Sequence, residues 1–241
     1  MSETSMPILD FYCPLPYALH PEADLVDESA SQWMRRFQLG SSENMRKKLE
    51  QSGCGQLAAY MVPFARRDVL EIVADFLMWN ISFDDDYCDE GPLGKNPGQL
   101  ASMLSHIQRS IESPEVPLYI YDKYAAALRD IRARLDACSR PANVDRWVEG
   151  MRVWFLAEVW RAGNEERGVM LSLDDYAVMR MWCGGAYAFL ALGPIAEGYE
   201  LTATEQNDRR IRALFEIAAT LCNWAADIIG HLRDGRDEGG E

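Results

Sequence analysis

The stretch with the strongest chemical signal is an acidic run in which five of the eight residues from Phe83 to Glu90 are acids. Clustered carboxylates repel one another, so each raises the pKa of its neighbours unless a cation lies among them. Oxygen ligands at the end of a helix suit a hard cation such as Mg²⁺. The alternative is an acidic turn that only faces solvent. The spacing of glycine and glutamate does not match an EF-hand.

A second candidate is Arg180, which lies in the otherwise apolar stretch YAVMRMWCGG. A charge in such a setting needs a partner. The planar guanidinium fits phosphate oxygens well, while a salt bridge to a nearby acid is the structural alternative.

A third candidate lies in the segment WAADIIGHLRD near the end of the chain. Ala226, Gly230 and Asp234 are spaced four apart and share one helical face. Only Asp234 among them can bind a metal, and by itself the pattern also fits the charged end of an amphipathic helix.

Aromatic residues occur in several predicted helices, and most of them are expected in the core. A ring that faces a cavity stabilises a cation by ~0.5–2 kcal/mol. The residues predicted to line such a cavity are Phe76, Trp79, Phe83 and Tyr187.

These residues must be positioned by helices, because apolar residues recur at steps of three or four and β-type alternation is absent. The pattern predicts helices from Glu22 onward, at 67–83, 98–112, 118–138 and 143–165, after Ser172, and at 202–233. The adjacent glycines Gly184 and Gly185 predict a bend or a close approach inside the helix after Ser172. The fold class is therefore all-α.

The composition restricts which kinds of partner the 241-residue chain is expected to bind, because its net charge is −14. Such an acidic protein does not suit nucleic acid, and an anionic substrate would need an intervening cation. The six cysteines form no CxxC pair, which argues against zinc and a disulfide framework. No signal peptide and no run of about 18 apolar residues is apparent, so a cytoplasmic protein without a membrane partner is expected.

Taken together, these residues resemble the bacterial class I terpene synthases, or terpene cyclases. The segment from Asp84 to Asp89 is similar to the family's first metal motif, DDxxxD/E. Arg180 matches the family's diphosphate-sensing arginine, and Cys183 and Gly184 match its linker and effector positions. The segment WAADIIGHLRD is similar to the second metal motif, WANDxxSxxKE.

The resemblance implies a single-domain helical bundle (22–241) around a central apolar pocket, preceded by an extended arm (1–21). It implies that the family's last helices would follow Glu241. Up to three Mg²⁺ ions and a prenyl diphosphate are the implied ligands, and a homodimer is a further expectation. Asp84, Asp85, Asp89 and Asp234 would bind metal, and Arg180 and Arg233 would bind diphosphate.

The implied reaction is ionisation and cyclisation of geranyl, 2-methylgeranyl or farnesyl diphosphate to a terpene, with release of diphosphate. The wording DYCDE and the arm sequence FYCP favour the 2-methylisoborneol synthase branch. Two departures support an alternative, a catalytically impaired isoprenoid-diphosphate-binding relative: Ala226 stands where the family has Asn, and Gly230 where it has Ser or Thr. An unrelated helical interaction module with an acidic loop is the remaining alternative.

Overall fold

The computed structural model describes residues 12–88, 91–116 and 118–237, with side chains described as far as Gly230. This part of the chain contains α-helices and no strand, so the all-α prediction is confirmed. The helices are α1 (Ala23–Phe37), α2 (Glu43–Glu50), α3 (Cys54–Met61), α4 (Arg67–Phe83), α5 (Pro97–Glu112), α6 (Lys123–Cys138), α7 (Pro141–Arg167), α8 (Leu173–Trp182), α9 (Ala186–Ala196), α10 (Ala203–Asn207) and α11 (Arg209–Asp237).

Helix α4 lies at the centre of the core and has the bounds that the apolar spacing predicts. Most of its side chains are buried, and it packs against α1, α3, α6 and α9. Burial on several sides accounts for its nearly continuous apolar sequence. Its carboxyl end delivers the acidic run directly to one end of the bundle.

The long helix α7 packs against both α5 and α9 and so connects these two helices. It begins with Pro141, whose fixed φ and missing N–H suit the first turn of a helix. Gly150 allows the close contact with α9, because a Cβ atom there would lie 2.7 Å from the backbone nitrogen of Ala188.

Several helix boundaries differ from the predicted ones for local reasons. Helix α6 begins at Lys123 rather than residue 118, because the Asp122 side chain accepts a hydrogen bond from the Ala125 N–H and caps it. The predicted helix at 202–233 is interrupted at Asp208, which has extended backbone angles. Helices α2 and α3 are short, and the apolar spacing did not predict them.

The sequence shows no unbroken run of about 18 apolar residues, but helix α11 is apolar on average over a comparable length. Its segment Arg209–Gly230 is long and apolar enough to cross a membrane by length and composition, a property that core helices of soluble proteins share. Only one side of α11 packs against α8 and α9. An apolar stripe on it is exposed, formed by Leu214, Ile217, Leu221 and Ile228.

We expect Gly150→Ala to lower the free energy of unfolding by about 1–3 kcal/mol, because the added methyl group must push α7 and α9 apart. Urea unfolding followed by circular dichroism measures the change. The control is Gly163→Ala on the same helix, where the nearest atom to the added Cβ is 3.9 Å away. Equal stability of the two variants would contradict the close packing of α7 on α9.

Candidate active site

Four of the predicted functional residues line one polar cleft with a volume of about 450 Å³: Asp84, Arg180, Cys183 and Gly184. The acidic segment after α4, helix α7, the α8–α9 junction and helix α11 all contribute to its wall. The other lining residues are Glu158, Arg161, Tyr176, Met179 and Asp227. The acidic run and the arginine, which are far apart in sequence, therefore meet in space.

The acidic run begins as a single π-helical turn, Asp84–Cys88, that continues α4. Its aspartates have different surroundings. Asp84 faces the cleft, whereas Asp86 accepts hydrogen bonds from the Tyr124 hydroxyl at 2.5 Å and the Ser41 N–H at 3.0 Å. Asp86 thus anchors the turn to the rest of the fold. Asp85 is not among the residues that line the cleft, and Asp89 lies outside the described residues.

Arg180 is held by Asp227 of α11 through two hydrogen bonds, in which its Nε and Nη2 atoms donate to the carboxylate at 2.7 Å each. The salt bridge considered as a structural alternative therefore exists, and it lies inside the cleft. The Tyr176 hydroxyl also donates to Asp227. Partial burial and this hydrogen bond raise the pKa of Tyr176 to about 12.

The predicted bend is a short 3₁₀ turn, Cys183–Gly185, that separates α8 from α9. Gly184 and Gly185 have φ values of 72° and 75°, in the left-handed region that glycine adopts without strain. Space is also restricted, since a Cβ atom on Gly185 would lie 3.3 Å from the Trp154 ring. The glycine pair thus permits a sharp change of direction next to Arg180.

Glu158 of α7 is a cleft residue that the sequence analysis did not identify. It is only 3% exposed and accepts hydrogen bonds from the Trp154 indole N–H and the Arg161 Nε–H, both at 2.9 Å. Arg161 in turn donates to the Cys88 carbonyl at 2.7 Å and so ties the π turn to α7. Burial, followed by the proximity of Glu158, raises the pKa of the Cys183 thiol.

The carboxylates of Asp84 and Glu158, on the acidic side of the cleft, fit a hard divalent cation, whereas the soft Cys88 sulfur does not. Carboxylate oxygens of Asp84 and Glu158 and the Cys88 sulfur lie within 4.8 Å of one another, and carboxylates are preferred ligands of Mg²⁺. On α11, Ala226 and Gly230 offer no side-chain oxygen. Asp227, next to Ala226, accepts hydrogen bonds from Arg180 and Tyr176. The side chains of Arg233 and Asp234 lie outside the described residues.

The four aromatic residues predicted to line a pocket have different surroundings. Phe76, Trp79 and Phe83 have no exposed area, and their rings pack in the core, with Trp79 and Phe83 stacked at 4.7 Å between centroids. Tyr124 and Trp154 contribute further rings to this cluster. Tyr187 does line a cavity of about 280 Å³ with mostly apolar walls. This cavity lies along α7, α9 and α11 and includes Val153, Ala191 and Phe215.

The bundle and its cleft define a helical terpene synthase fold, as likeness to solved structures shows. The ancestral reconstruction SVS_A2 superposes with a TM-score of 0.82 and 34% identity, over 87% of this chain and 64% of that one. An a-eudesmol synthase shares the fold at a TM-score of 0.84 and 18% identity. The match covers 95% of this chain and 74% of the a-eudesmol synthase chain.

The family model "Terpene synthase family 2, C-terminal metal binding" matches residues 75–241. The chain belongs to this family. It is 32% identical over 237 residues to (+)-(1(10)E,4E,6S,7R)-germacradien-6-ol synthase of Streptomyces pratensis, covering 98% of this chain and 66% of the relative. It is 33% identical to a (+)-T-muurolol synthase of Streptomyces clavuligerus, covering 94% of this chain and 54% of the relative. The chain thus spans less than two thirds of the length of both relatives.

We expect Asp227→Asn to lower the free energy of unfolding by about 1–2 kcal/mol at neutral pH, because it weakens two charge-assisted hydrogen bonds from Arg180. Partial burial acts to raise the pKa of Asp227, but hydrogen bonds from Arg180 and Tyr176 hold it below the ordinary 3.8. The stabilisation is therefore present above that pH and lost below it, so the two proteins should converge in acid.

Thermal and urea unfolding between pH 3 and pH 7 measure this difference. Asp174→Asn, at an exposed position in the first turn of α8, is the matched control. An Asp227→Asn variant as stable as this control at pH 7 would show that the pair contributes no stability.

Proposed function

We propose that this chain binds the diphosphate group of a prenyl diphosphate in the polar cleft, with Mg²⁺, and takes part in its ionisation and cyclisation to a terpene. The observation that carries the proposal is that Asp84 and Arg180 line the same cleft. An apolar cavity lined by Tyr187 runs along the same helices, α7 and α11. Together they offer a polar site for the anion and an apolar site for the hydrocarbon.

The roles proposed for the side chains follow from their charge and position. Asp84 holds Mg²⁺, with Glu158 next to it, and Asp85, Asp89 and Asp234 remain the further metal ligands that the family motifs predict. Arg180 and Arg233 bind diphosphate oxygens, for which the guanidinium is suited by its fixed fork of N–H donors. Cys183 and Gly184 belong to the backbone turn that directly follows α8, the helix that contains Arg180.

In the proposed reaction the bond between C1 of the prenyl chain and the diphosphate oxygen breaks, and the electron pair leaves with the diphosphate. Bound Mg²⁺ would supply charge neutralisation for this leaving group. Arg180 can exchange Asp227 for the diphosphate, because the carboxylate and the diphosphate are both anions that accept hydrogen bonds from its guanidinium. The mostly apolar walls around Tyr187 would receive the hydrocarbon chain.

Farnesyl diphosphate is the first substrate to test, because the Streptomyces clavuligerus relative is named as cyclising it. Geranyl and 2-methylgeranyl diphosphates follow. The alternative proposal, an impaired relative that binds the substrate without turning it over, is favoured by Ala226 and Gly230. A cytoplasmic location and a homodimer remain predictions from the sequence.

We expect Asp84→Asn to lower Mg²⁺-dependent diphosphate release from farnesyl diphosphate by roughly two orders of magnitude, since it removes a charged metal ligand. Phosphate-coupled colorimetry measures release, and gas chromatography detects the terpene. Asp145→Asn, at an exposed position on α7, is the control and should leave turnover unchanged. Undiminished turnover of the Asp84 variant would remove this residue from the mechanism.

We expect the double change Ala226→Asn with Gly230→Ser to raise turnover and to lower the Mg²⁺ concentration for half-maximal activity, since it restores two oxygen ligands. A side chain fits at position 230, where a Cβ atom would meet no atom within 4 Å. Mg²⁺ titration of wild type and variant measures the effect. A wild type as active as the variant would show that these two positions are not needed as ligands.

A further inference from the structure

Asn223 of α11 is buried, at 8% exposure, and bonds to the end of another helix. Its Nδ2 donates to the carbonyl oxygens of Arg180 at 2.7 Å and Cys183 at 3.2 Å. Carbonyls at the carboxyl end of a helix lack partners within that helix. The two acceptors also fix the amide orientation, since the flipped amide would place oxygen against oxygen. A side chain of α11 therefore caps the carboxyl end of α8.

Asn223 and Asp227 are four residues apart and lie on one face of α11. They hold the same residue of α8 at two points: Asn223 binds the backbone carbonyl of Arg180, and Asp227 binds its guanidinium. We infer that Asn223 is a positioning residue that fixes the backbone of Arg180, so that the guanidinium lies in the cleft opposite Asp84. This inference rests on the proposed function, in which Arg180 binds diphosphate.

The local backbone explains why Arg180 needs this second support. The chain immediately after α8 contains two glycines with left-handed φ values, and glycine restricts the backbone less than any other residue. The Asp227 contact fixes only the tip of a long side chain, and diphosphate would compete with it. The Asn223 contact involves backbone atoms and stays in place while the guanidinium changes partner.

The site around Asn223 is tight enough for this role. A Cβ atom on Gly184 would lie 3.4 Å from the Asn223 Oδ1 atom and 3.5 Å from the Arg180 Nη1 atom. The amide, the glycine and the guanidinium are therefore in near contact. Removing the amide leaves two carbonyls without their donor and opens space beside the glycine.

A double-mutant cycle tests whether Asn223 acts through Arg180. Binding of inorganic diphosphate in the presence of Mg²⁺ is measured by isothermal titration calorimetry on the full chain. We expect Asn223→Ala to weaken binding by about three- to ten-fold, the effect of losing one or two ordinary hydrogen bonds. In the Arg180→Ala background, the same change should weaken binding no further, because the group that Asn223 positions is gone.

Asn207→Ala is the matched control, because the Asn207 amide also donates to a helix carbonyl, that of Ala203 at 2.8 Å, at an exposed place outside the cleft. It should leave diphosphate affinity unchanged. Circular dichroism verifies that each variant is folded. If Asn223→Ala does not fold, Asn223→Ser, which keeps one hydroxyl donor, takes its place in the cycle with a smaller expected loss.

Two results would overturn the inference, and they are distinguishable. A wild type that binds diphosphate, with Asn223→Ala binding equally well or losing the same factor in both backgrounds, would limit Asn223 to a structural cap. A wild type that binds no diphosphate with Mg²⁺ would instead remove the proposed function, and the inference with it.

Discussion

The arrangement of the cleft depends on the ionic contact between Arg180 and Asp227. It joins α8 to α11 at 2.7 Å through both donors of the guanidinium fork. A cation on a mostly apolar helix must be neutralised or solvated, and here the neutralising acid comes from the helix across the cleft. The contact therefore holds the guanidinium inside the cleft that Asp84 also lines.

A second link on the opposite wall complements this contact. Arg161 joins the carboxylate of Glu158 to the carbonyl of Cys88, so the π turn is tied to the long helix α7. The cleft lining contains three carboxylates and two guanidiniums, so in this protein of net charge −14 an anionic ligand would still need a bound cation there. Local pairing, rather than the overall charge, sets the potential that a ligand meets.

The sequence predicted those features that depend on local spacing. The bounds of α4 follow from apolar residues at helical steps, and the break at Gly184 follows from adjacent glycines. Glu158 was missed because a buried acid and an exposed acid look alike on a long helix, although Arg161 three residues later was a weak signal. Phe76, Trp79 and Phe83 were assigned to a cavity because sequence shows which face is apolar and does not show what fills the space beside it.

The π-helical turn gives the acidic segment a property that its composition does not reveal. A π turn contains one residue more than the α-helical turn it replaces, so each of its residues advances the side chains by less than the roughly 100° of an α-helix. Within this turn Asp84 lines the cleft, whereas Asp86, two residues later, bonds to the scaffold. Deleting a single aspartate would leave ample negative charge but would rotate every later side chain, so the number of residues matters here as much as their acidity.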